Sequence, residues 1–227
     1  MVIKAVIFDL DGTLVAMKLK SREAKKEFLR RLRESGFDVE ALNPDMPSEK
    51  MIQFLIEKYG LSRGFLMKIL DECFQPYELE AAEEAELRPN VREVIKRLKS
   101  MGYRLGVASN NGRVGVRLAL KKLGILGYFD AVVARGDVDR MKPDGSPISE
   151  CVKRLGVAPR EAVYIGDAVI DIAAAKEAGV YAIGVLGGFD SREALERSKP
   201  DYMIENLSEL FHALEMIEKG DDLFRPR

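Results

Sequence analysis

The fold of this 227-residue chain is decided by residues 1–14, which read MVIKAVIFDLDGTL. The apolar run up to Phe8 predicts a buried β-strand, since doubly covered parallel strands are almost continuously apolar. Side chains alternate along a strand, so Asp9 and Asp11 would point to one side about 6–7 Å apart. They follow the carboxyl end of the strand, where open α/β sheets bind ligands. Gly12 lets the backbone turn away. On its own, such a motif is equally compatible with a helix or turn cap.

Strand-like and helix-like segments alternate through much of the remaining chain. This alternation predicts an α/β fold, a Rossmann-like parallel sheet core with helices on both faces. The predicted strands are Ile3–Phe8, Arg104–Ala108, Ala131–Ala134, Ala162–Ile165, Tyr181–Val185 and Asp201–Ile204. The predicted helices lie near Asn90–Met101, Arg113–Leu123, Pro147–Leu155, Ala168–Ala178 and Leu207–Lys219.

Residues 15–88 break this alternation, because they show helical periodicity without a convincing strand. The predicted helices of this stretch are Ala24–Arg33, Glu49–Tyr59, Gly64–Phe74 and Glu78–Ala85. We therefore expect a discontinuous core domain, residues 1–14 and 89–227, with residues 15–88 inserted as an all-helical cap domain.

A second acidic pair follows the predicted strand Ala162–Ile165. Gly166 and Asp167 come directly after it, and Asp171 would share a helix face with Asp167 if the helix begins there. An ordinary helix cap is the alternative for Asp167 alone. Two acidic pairs at neighbouring strand ends would repel each other without a cation, and hard oxygen ligands suit Mg²⁺. The sequence therefore predicts a magnesium site.

Two further strand ends carry polar groups. Ser109 and Asn110 follow a strand and precede a helix, an arrangement that can bind an anion through a hydroxyl and backbone amides. Lys142 precedes Pro143, which disfavours helix at the lysine. Arg135 and Arg140 are less well placed alternatives to Lys142. Helix capping and a solvated loop lysine remain the alternatives when each motif is taken alone.

In this order, the motifs resemble those of the haloacid dehalogenase superfamily, in the phosphatase branch with a helical cap after the first strand. The resemblance rests on DxDGT at residues 9–13, Ser109, Lys142-Pro143 and GDxxxD at residues 166–171. It covers residues 1–14 and roughly 89–204, whereas residues 15–88 match only in position and helical character.

The resemblance implies a Mg²⁺-dependent phosphatase that hydrolyses small phosphorylated metabolites through an aspartyl-phosphate. Asp9 would be the nucleophile, and Asp11 would protonate the leaving alcohol and then activate water. Asp9, the Asp11 backbone carbonyl and Asp167 would bind Mg²⁺. The remaining implied roles are phosphoryl binding by Ser109, Asn110 and Lys142, binding of the metal through water or support of it by Asp171, orientation of Asp11 by Thr13, and clearance of the turn by Gly12. Gly166 would be a supporting residue of the GDxxxD motif.

Two alternatives remain open. A sugar-phosphate mutase would use the same groups with a sugar phosphate as acceptor, although Val15-Ala16 stands where many mutases and phosphoglycolate phosphatases carry an acidic residue. A receiver-type signalling domain also combines acids, a lysine and Mg²⁺, but it is about half this length and places its acids differently.

Charge and cysteine content limit the classes of binding partner and the cellular location that we expect. Lys+Arg 36 against Asp+Glu 37 gives a net charge of −1, so we expect neither nucleic acid nor a membrane as partner, and a small phosphate ester as substrate. Cys73 and Cys151 form no metal-binding motif, and no segment resembles a signal peptide, which favours a cytoplasmic location. The only histidine, His212, is expected on a helix surface. The oligomeric state, monomer or homodimer, stays open.

The start of the predicted cap domain is strongly basic. Residues 18–33 hold eight basic and two acidic residues, beginning with Lys18, Lys20 and Arg22. A solvated helix face explains this excess most simply. Our alternative hypothesis is that one or two of these cations face the active site and favour acidic substrates.

Overall fold

The central sheet of the computed structural model, which describes residues 2–220, has six parallel strands in the order β5-β4-β1-β6-β7-β8. The strands of the fold are β1 (Ala5–Phe8), β2 (Val15–Ala16), β3 (Glu86–Leu87), β4 (Arg104–Gly112), β5 (Ala131–Arg135), β6 (Ala162–Gly166), β7 (Tyr181–Val185) and β8 (Tyr202–Ile204). The predicted α/β fold class is confirmed. Residues 1 and 221–227 of the expected core domain lie outside the described residues.

Helices cover both faces of this sheet. The helices of the fold are α1 (Ser21–Glu34), α2 (Ser48–Tyr59), α3 (Arg63–Glu84), α4 (Val91–Ser100), α5 (Arg113–Lys122), α6 (Ser146–Leu155), α7 (Val169–Glu177), α8 (Arg192–Ser198) and α9 (Leu210–Lys219). Along β1, Val6 and Phe8 pack with the apolar side of α4, α5 and α9, whereas Ala5 and Ile7 pack with that of α6, α7 and α8. The alternation of side chains along a strand explains this two-layer core.

Helices α1, α2 and α3 share a third apolar cluster of their own. Phe28, Ile52 and Leu70 contribute to it from the three helices, and Met141 reaches it from the loop before Lys142. The chain enters these helices through β2 and returns from them through β3. These two strands pair antiparallel, so the two connections to the sheet run side by side.

The structure corrects several predicted elements. The predicted helices Gly64–Phe74 and Glu78–Ala85 are one helix, α3, which continues through Pro76. Proline removes one backbone donor, but the flanking Phe74 and Glu78 are both buried, so packing holds the helix on each side. Strands β2 and β3 were not predicted, because each is only two residues long and gives no periodic signal. Helix α8 also lies where no helix was predicted.

In the part of the chain that the structure describes, no helix combines the length and apolar character needed to cross a membrane.

Candidate active site

The predicted site residues meet at one cavity of about 530 Å³. Its lining includes the predicted residues Asp9, Asp11, Gly12, Ser109, Asn110, Lys142, Asp167 and Asp171. The other two lie directly behind: Thr13 bonds to Asp167, and Gly166 packs against Asp171. Sheet order explains the convergence, because β1 lies between β4 and β6 and all three run parallel, so their carboxyl ends meet at one edge.

Lys142 holds the centre of the acidic cluster. Its Nζ donates hydrogen bonds to Asp9 Oδ1 at 2.6 Å, to Asp171 Oδ1 at 2.6 Å and to the Tyr164 hydroxyl at 2.8 Å. An ammonium group has three donors, so all of them are used. The buried lysine is therefore fixed in one position beside Asp9.

Asn110 fixes the loop that carries this lysine. Its Nδ2 donates to the Lys142 carbonyl at 2.9 Å, and its Oδ1 accepts from the Lys142 amide at 2.8 Å. This two-way pairing ties the last residues of β4, which extends four residues beyond its predicted end at Ala108, to the loop after β5. Ser109 is buried next to it, with its Oγ accepting from the Asn111 amide at 3.2 Å.

Burial sets the proton affinities of the acids. It raises the pKa of Asp9 to about 8 against the opposing charge of Lys142, and like charges on Asp171 and Asp167 add to the rise. Burial also raises the pKa of Asp11 to about 6, and it raises the pKa of Asp167. For Lys142, burial lowers the pKa, but the charges of Asp171 and Asp9 outweigh it and raise the pKa above its ordinary value. The cluster thus carries more negative charge than one lysine balances.

Three of these carboxylates are grouped closely enough to hold a metal ion. Oxygen atoms of Asp9, Asp167 and Asp171 all lie within 4.8 Å of one another, and all three residues are buried. A donor set made only of anionic oxygens suits a hard divalent cation. The residues therefore fit a metal site. Asp9, the Asp11 carbonyl and Asp167 were predicted as ligands, and Asp171 as a ligand through water or a support of the metal; these roles stay predictions.

Thr13 does not orient Asp11, contrary to expectation. Its hydroxyl donates to Asp167 Oδ1 at 2.9 Å, while Asp11 Oδ1 accepts from the Met17 amide at 3.0 Å. The Phe189 amide also donates to Asp167, at 2.6 Å to Oδ2. Gly12 makes room for this carboxylate, since a Cβ there would lie 2.1 Å from Asp167 Oδ2 and its φ is +82°.

Asp171 also differs from expectation, because α7 begins at Val169 and not at Asp167. Asp171 accepts a hydrogen bond from the Ala168 amide at 3.0 Å and so caps the helix while it pairs with Lys142. A Cβ on Gly166 would lie 2.4 Å from Asp171 Cβ, which explains the glycine.

Residues 6–185 match the family described as haloacid dehalogenase-like hydrolases. The chain belongs to this family. Pyrophosphatase PpaX of Bacillus velezensis is 31% identical over 217 residues, covering 92% of this chain and 95% of that protein. Phosphoglycolate phosphatase of Shigella dysenteriae is 30% identical over 233 residues, covering 93% and 92%. A solved structure titled as a predicted phosphatase from Clostridium acetobutylicum shares the fold, with a TM-score of 0.71 at 22% identity over 96% of this chain and 100% of that one. The predicted family and hydrolase class are confirmed.

This haloacid dehalogenase-like hydrolase has a second buried ion cluster that sequence reasoning missed. Arg135 donates to both oxygens of Glu78 at 2.9 and 3.2 Å and to Asp71 at 2.6 Å. It also donates to the Asn110 carbonyl at 3.1 Å, and the Gly112 amide donates to Glu78 at 3.0 Å. Arg135 therefore links α3 to the end of β4 and does not substitute for Lys142. Arg140, the other alternative, is exposed and pairs with Asp144.

Tyr164 is a further contact missed from sequence. The only signal is a polar hydroxyl in the otherwise apolar strand β6, and a tyrosine in a strand is ordinary. His212 lies exposed on α9 beside Tyr202, as expected.

Proposed function

We propose that this chain is a Mg²⁺-dependent phosphatase that hydrolyses phosphomonoesters of small metabolites through an aspartyl-phosphate. The observation that carries the proposal is the convergence of Asp9, Asp11, Lys142 and Asp167 on one cavity at the carboxyl ends of β1 and β6. The names of the relatives, a pyrophosphatase and a phosphoglycolate phosphatase, support the phosphatase class. We also propose that residues 15–88 act as the cap domain over a core of residues 1–14 and 89–227.

In the proposed first step, a carboxylate oxygen of Asp9 attacks phosphorus and the leaving alkoxide departs with a proton from Asp11. The pKa of Asp11, raised by burial to about 6, suits a group that must hold a proton near neutral pH and then release it. In the second step Asp11 takes a proton from water, which attacks the phosphorus of the aspartyl-phosphate and regenerates Asp9. Inorganic phosphate leaves.

Lys142 and the end of β4 would stabilise the transferring group. The ammonium of Lys142 lies 2.6 Å from Asp9 Oδ1, next to the atom that would carry the phosphoryl group. Ser109 and the Asn110 amide, in the last residues of β4, would donate to phosphoryl oxygens. When bound by Asp9, Asp167 and the Asp11 backbone carbonyl beside Asp171, Mg²⁺ would supply the positive charge that this acid-rich site lacks.

A phosphate-release assay over a library of phosphomonoesters tests the proposal. We expect Mg²⁺-dependent release from at least one ester, and none from Asp9→Asn. Asp139→Asn is the matched control, because Asp139 is exposed and outside the cavity, and it should retain full activity. Release that requires an added sugar bisphosphate would favour the mutase, and intact esters under every divalent ion would contradict phosphatase activity.

A further inference from the structure

The cavity extends well past the acidic cluster, toward α1 and α3. The residues that line it on this side include Met17, Leu19, Ser21, Lys25, Asp45 and Phe74. Its volume of about 530 Å³ falls in the range typical of small-molecule pockets, about 300–1,000 Å³. There is therefore room for a leaving group beside the phosphoryl group.

Three cationic side chains line this cavity, and two of them are neutralised. Lys142 pairs with Asp9 and Asp171, and Arg135 pairs with Glu78 and Asp71. Lys25 differs, because within residues 2–220 no carboxylate lies in ion-pair distance of its Nζ.

The surroundings of Lys25 leave it able to take an anion. Its Nζ donates one hydrogen bond, to the Met46 carbonyl at 2.8 Å, which leaves two ammonium donors for other acceptors. Asp45, the acid whose charge acts on Lys25, is engaged by Arg22 at 3.1 Å. Burial lowers the pKa of Lys25, and Asp45 only partly opposes this, so an incoming anion would restore favourable interactions that the ammonium has lost.

The other early cations of the basic segment do not face the cavity. Lys18, Lys20 and Arg22 are exposed and absent from its lining. Lys20 pairs with Glu80 at 2.7 Å. Helix geometry explains why Lys25 faces the cavity: it is four residues after Ser21, so both lie on the face of α1 that lines the cavity.

We propose that Lys25 is a specificity-determining residue that binds a second anionic group on the substrate, a carboxylate or phosphate carried by the leaving group. This inference rests on the proposed phosphatase function and narrows it to phosphomonoesters with an acidic leaving group. A carboxylate at this position would exchange water for a charge-assisted hydrogen bond, which is about twice as strong as a neutral one.

Two esters of matched size test this inference: 2-phosphoglycolate, which carries a carboxylate, and 2-hydroxyethyl phosphate, which carries a hydroxymethyl group there. We expect the unmodified enzyme to have a kcat/KM at least about tenfold higher for phosphoglycolate. Lys25→Met, which keeps an apolar stem, should lower that kcat/KM by about ten- to hundredfold, mainly through KM, since hydrogen bonds to charged groups are of this strength. It should change hydrolysis of the neutral ester by less than about threefold.

Lys25→Arg should retain most of the preference, and Lys26→Met, on the exposed side of the same helix, should change neither ester. Equal losses on both esters in Lys25→Met would assign Lys25 a structural role and overturn the inference. So would an unmodified enzyme without preference for the acidic ester, a result that needs no variant to fold. Failure of the unmodified enzyme to release phosphate from either ester or from any library member overturns the phosphatase proposal instead, and this inference with it.

Discussion

Two buried ion clusters contact the end of β4, and they differ in charge balance. The first, here the acid-rich cluster, is Lys142, its partners Asp9 and Asp171, and the two further acids of the cavity, Asp11 and Asp167. The second, here the arginine cluster, joins Arg135 to Glu78 and Asp71. The cationic side chains are equally buried, 3% exposed for Lys142 and 2% for Arg135.

The arginine cluster is close to balanced. Its guanidinium binds Glu78 through two bonds, Glu78 also accepts from the Gly112 amide, and Asp71 is half exposed to water. The acid-rich cluster sets four carboxylates against one ammonium, and burial there raises the pKa of Asp9 to about 8. Two like charges 4 Å apart repel by about 4 kcal/mol at an effective dielectric constant of 20. Unbalanced buried charge thus coincides with the proposed catalytic site, whereas nearly balanced buried charge joins α3 to the sheet.

The largest expected effect comes from a substitution in the acid-rich cluster. Asp9→Asn should reduce kcat by at least about 10⁴-fold, equivalent to about 5.5 kcal/mol, because an amide cannot act as the nucleophile. The free energy of unfolding without metal should change by less than about 1 kcal/mol, since Lys142 keeps Asp171 as partner. Phosphate release and urea unfolding measure the two effects. Strong destabilisation would show that the acid-rich cluster also holds the fold together.

The arginine cluster should respond in the opposite way. Arg135→Met should lower the free energy of unfolding by about 3–5 kcal/mol, because it leaves Glu78 buried without its cation. Urea unfolding of Arg135→Met beside Arg140→Met provides the measurement, and the exposed Arg140 should contribute less than about 1 kcal/mol. A loss for Arg135→Met no larger than for the control would remove the contrast between the clusters.

Sequence reasoning reached the sheet and the acid-rich cluster because both depend on local signals. Apolar runs ending in polar residues specify strands and their carboxyl ends, and parallel order then brings Asp9 and Asp167 together. The predicted partner of Thr13, Asp11, was wrong because the sequence offers its hydroxyl more than one aspartate as acceptor. Only the three-dimensional position of Asp167, which Gly12 admits at close range, decides between them.

The arginine cluster could not be predicted in the same way. Glu78 and Arg135 are 57 positions apart, and neither stands in a motif. Glu78 looks like one more acid on a helix rich in acids, and only its packing against Gly112 and Gly115 makes it buried. Likewise, the basic segment pointed to a group of cations, but the orientation of α1 was needed to single out Lys25.

Binding of a divalent metal ion should offset part of the excess negative charge of the acid-rich cluster. Mg²⁺ at about one hundred times its dissociation constant should stabilise the fold by about 2.7 kcal/mol, which raises the melting temperature of a domain of this size by about 5–10 °C. Thermal unfolding with Mg²⁺ and with EDTA measures the shift. Asp167→Asn should reduce it, whereas the exposed Asp139→Asn should not. An equal shift in Asp167→Asn would place the cation elsewhere.

The smallest effect concerns Tyr164, which touches the acid-rich cluster without adding charge to it. Its hydroxyl accepts from Lys142 and lies 2.9 Å from the Ala108 carbonyl. Tyr164→Phe leaves Lys142 paired with Asp9 and Asp171, so kcat should fall by less than about tenfold, and the free energy of unfolding should fall by about 1–2 kcal/mol for the lost buried bonds.

Tyr59→Phe is the matched control, because the Tyr59 hydroxyl donates to the Asp38 carbonyl at the surface, and we expect a loss below about 0.5 kcal/mol there. Steady-state phosphate release and urea unfolding separate the two readouts for both variants. A hundredfold fall in kcat for Tyr164→Phe would mean that the hydroxyl, and not the carboxylates alone, sets the position of Lys142. In that case charge imbalance would be an insufficient description of what prepares this cluster for catalysis, because a neutral group would be doing part of the positioning.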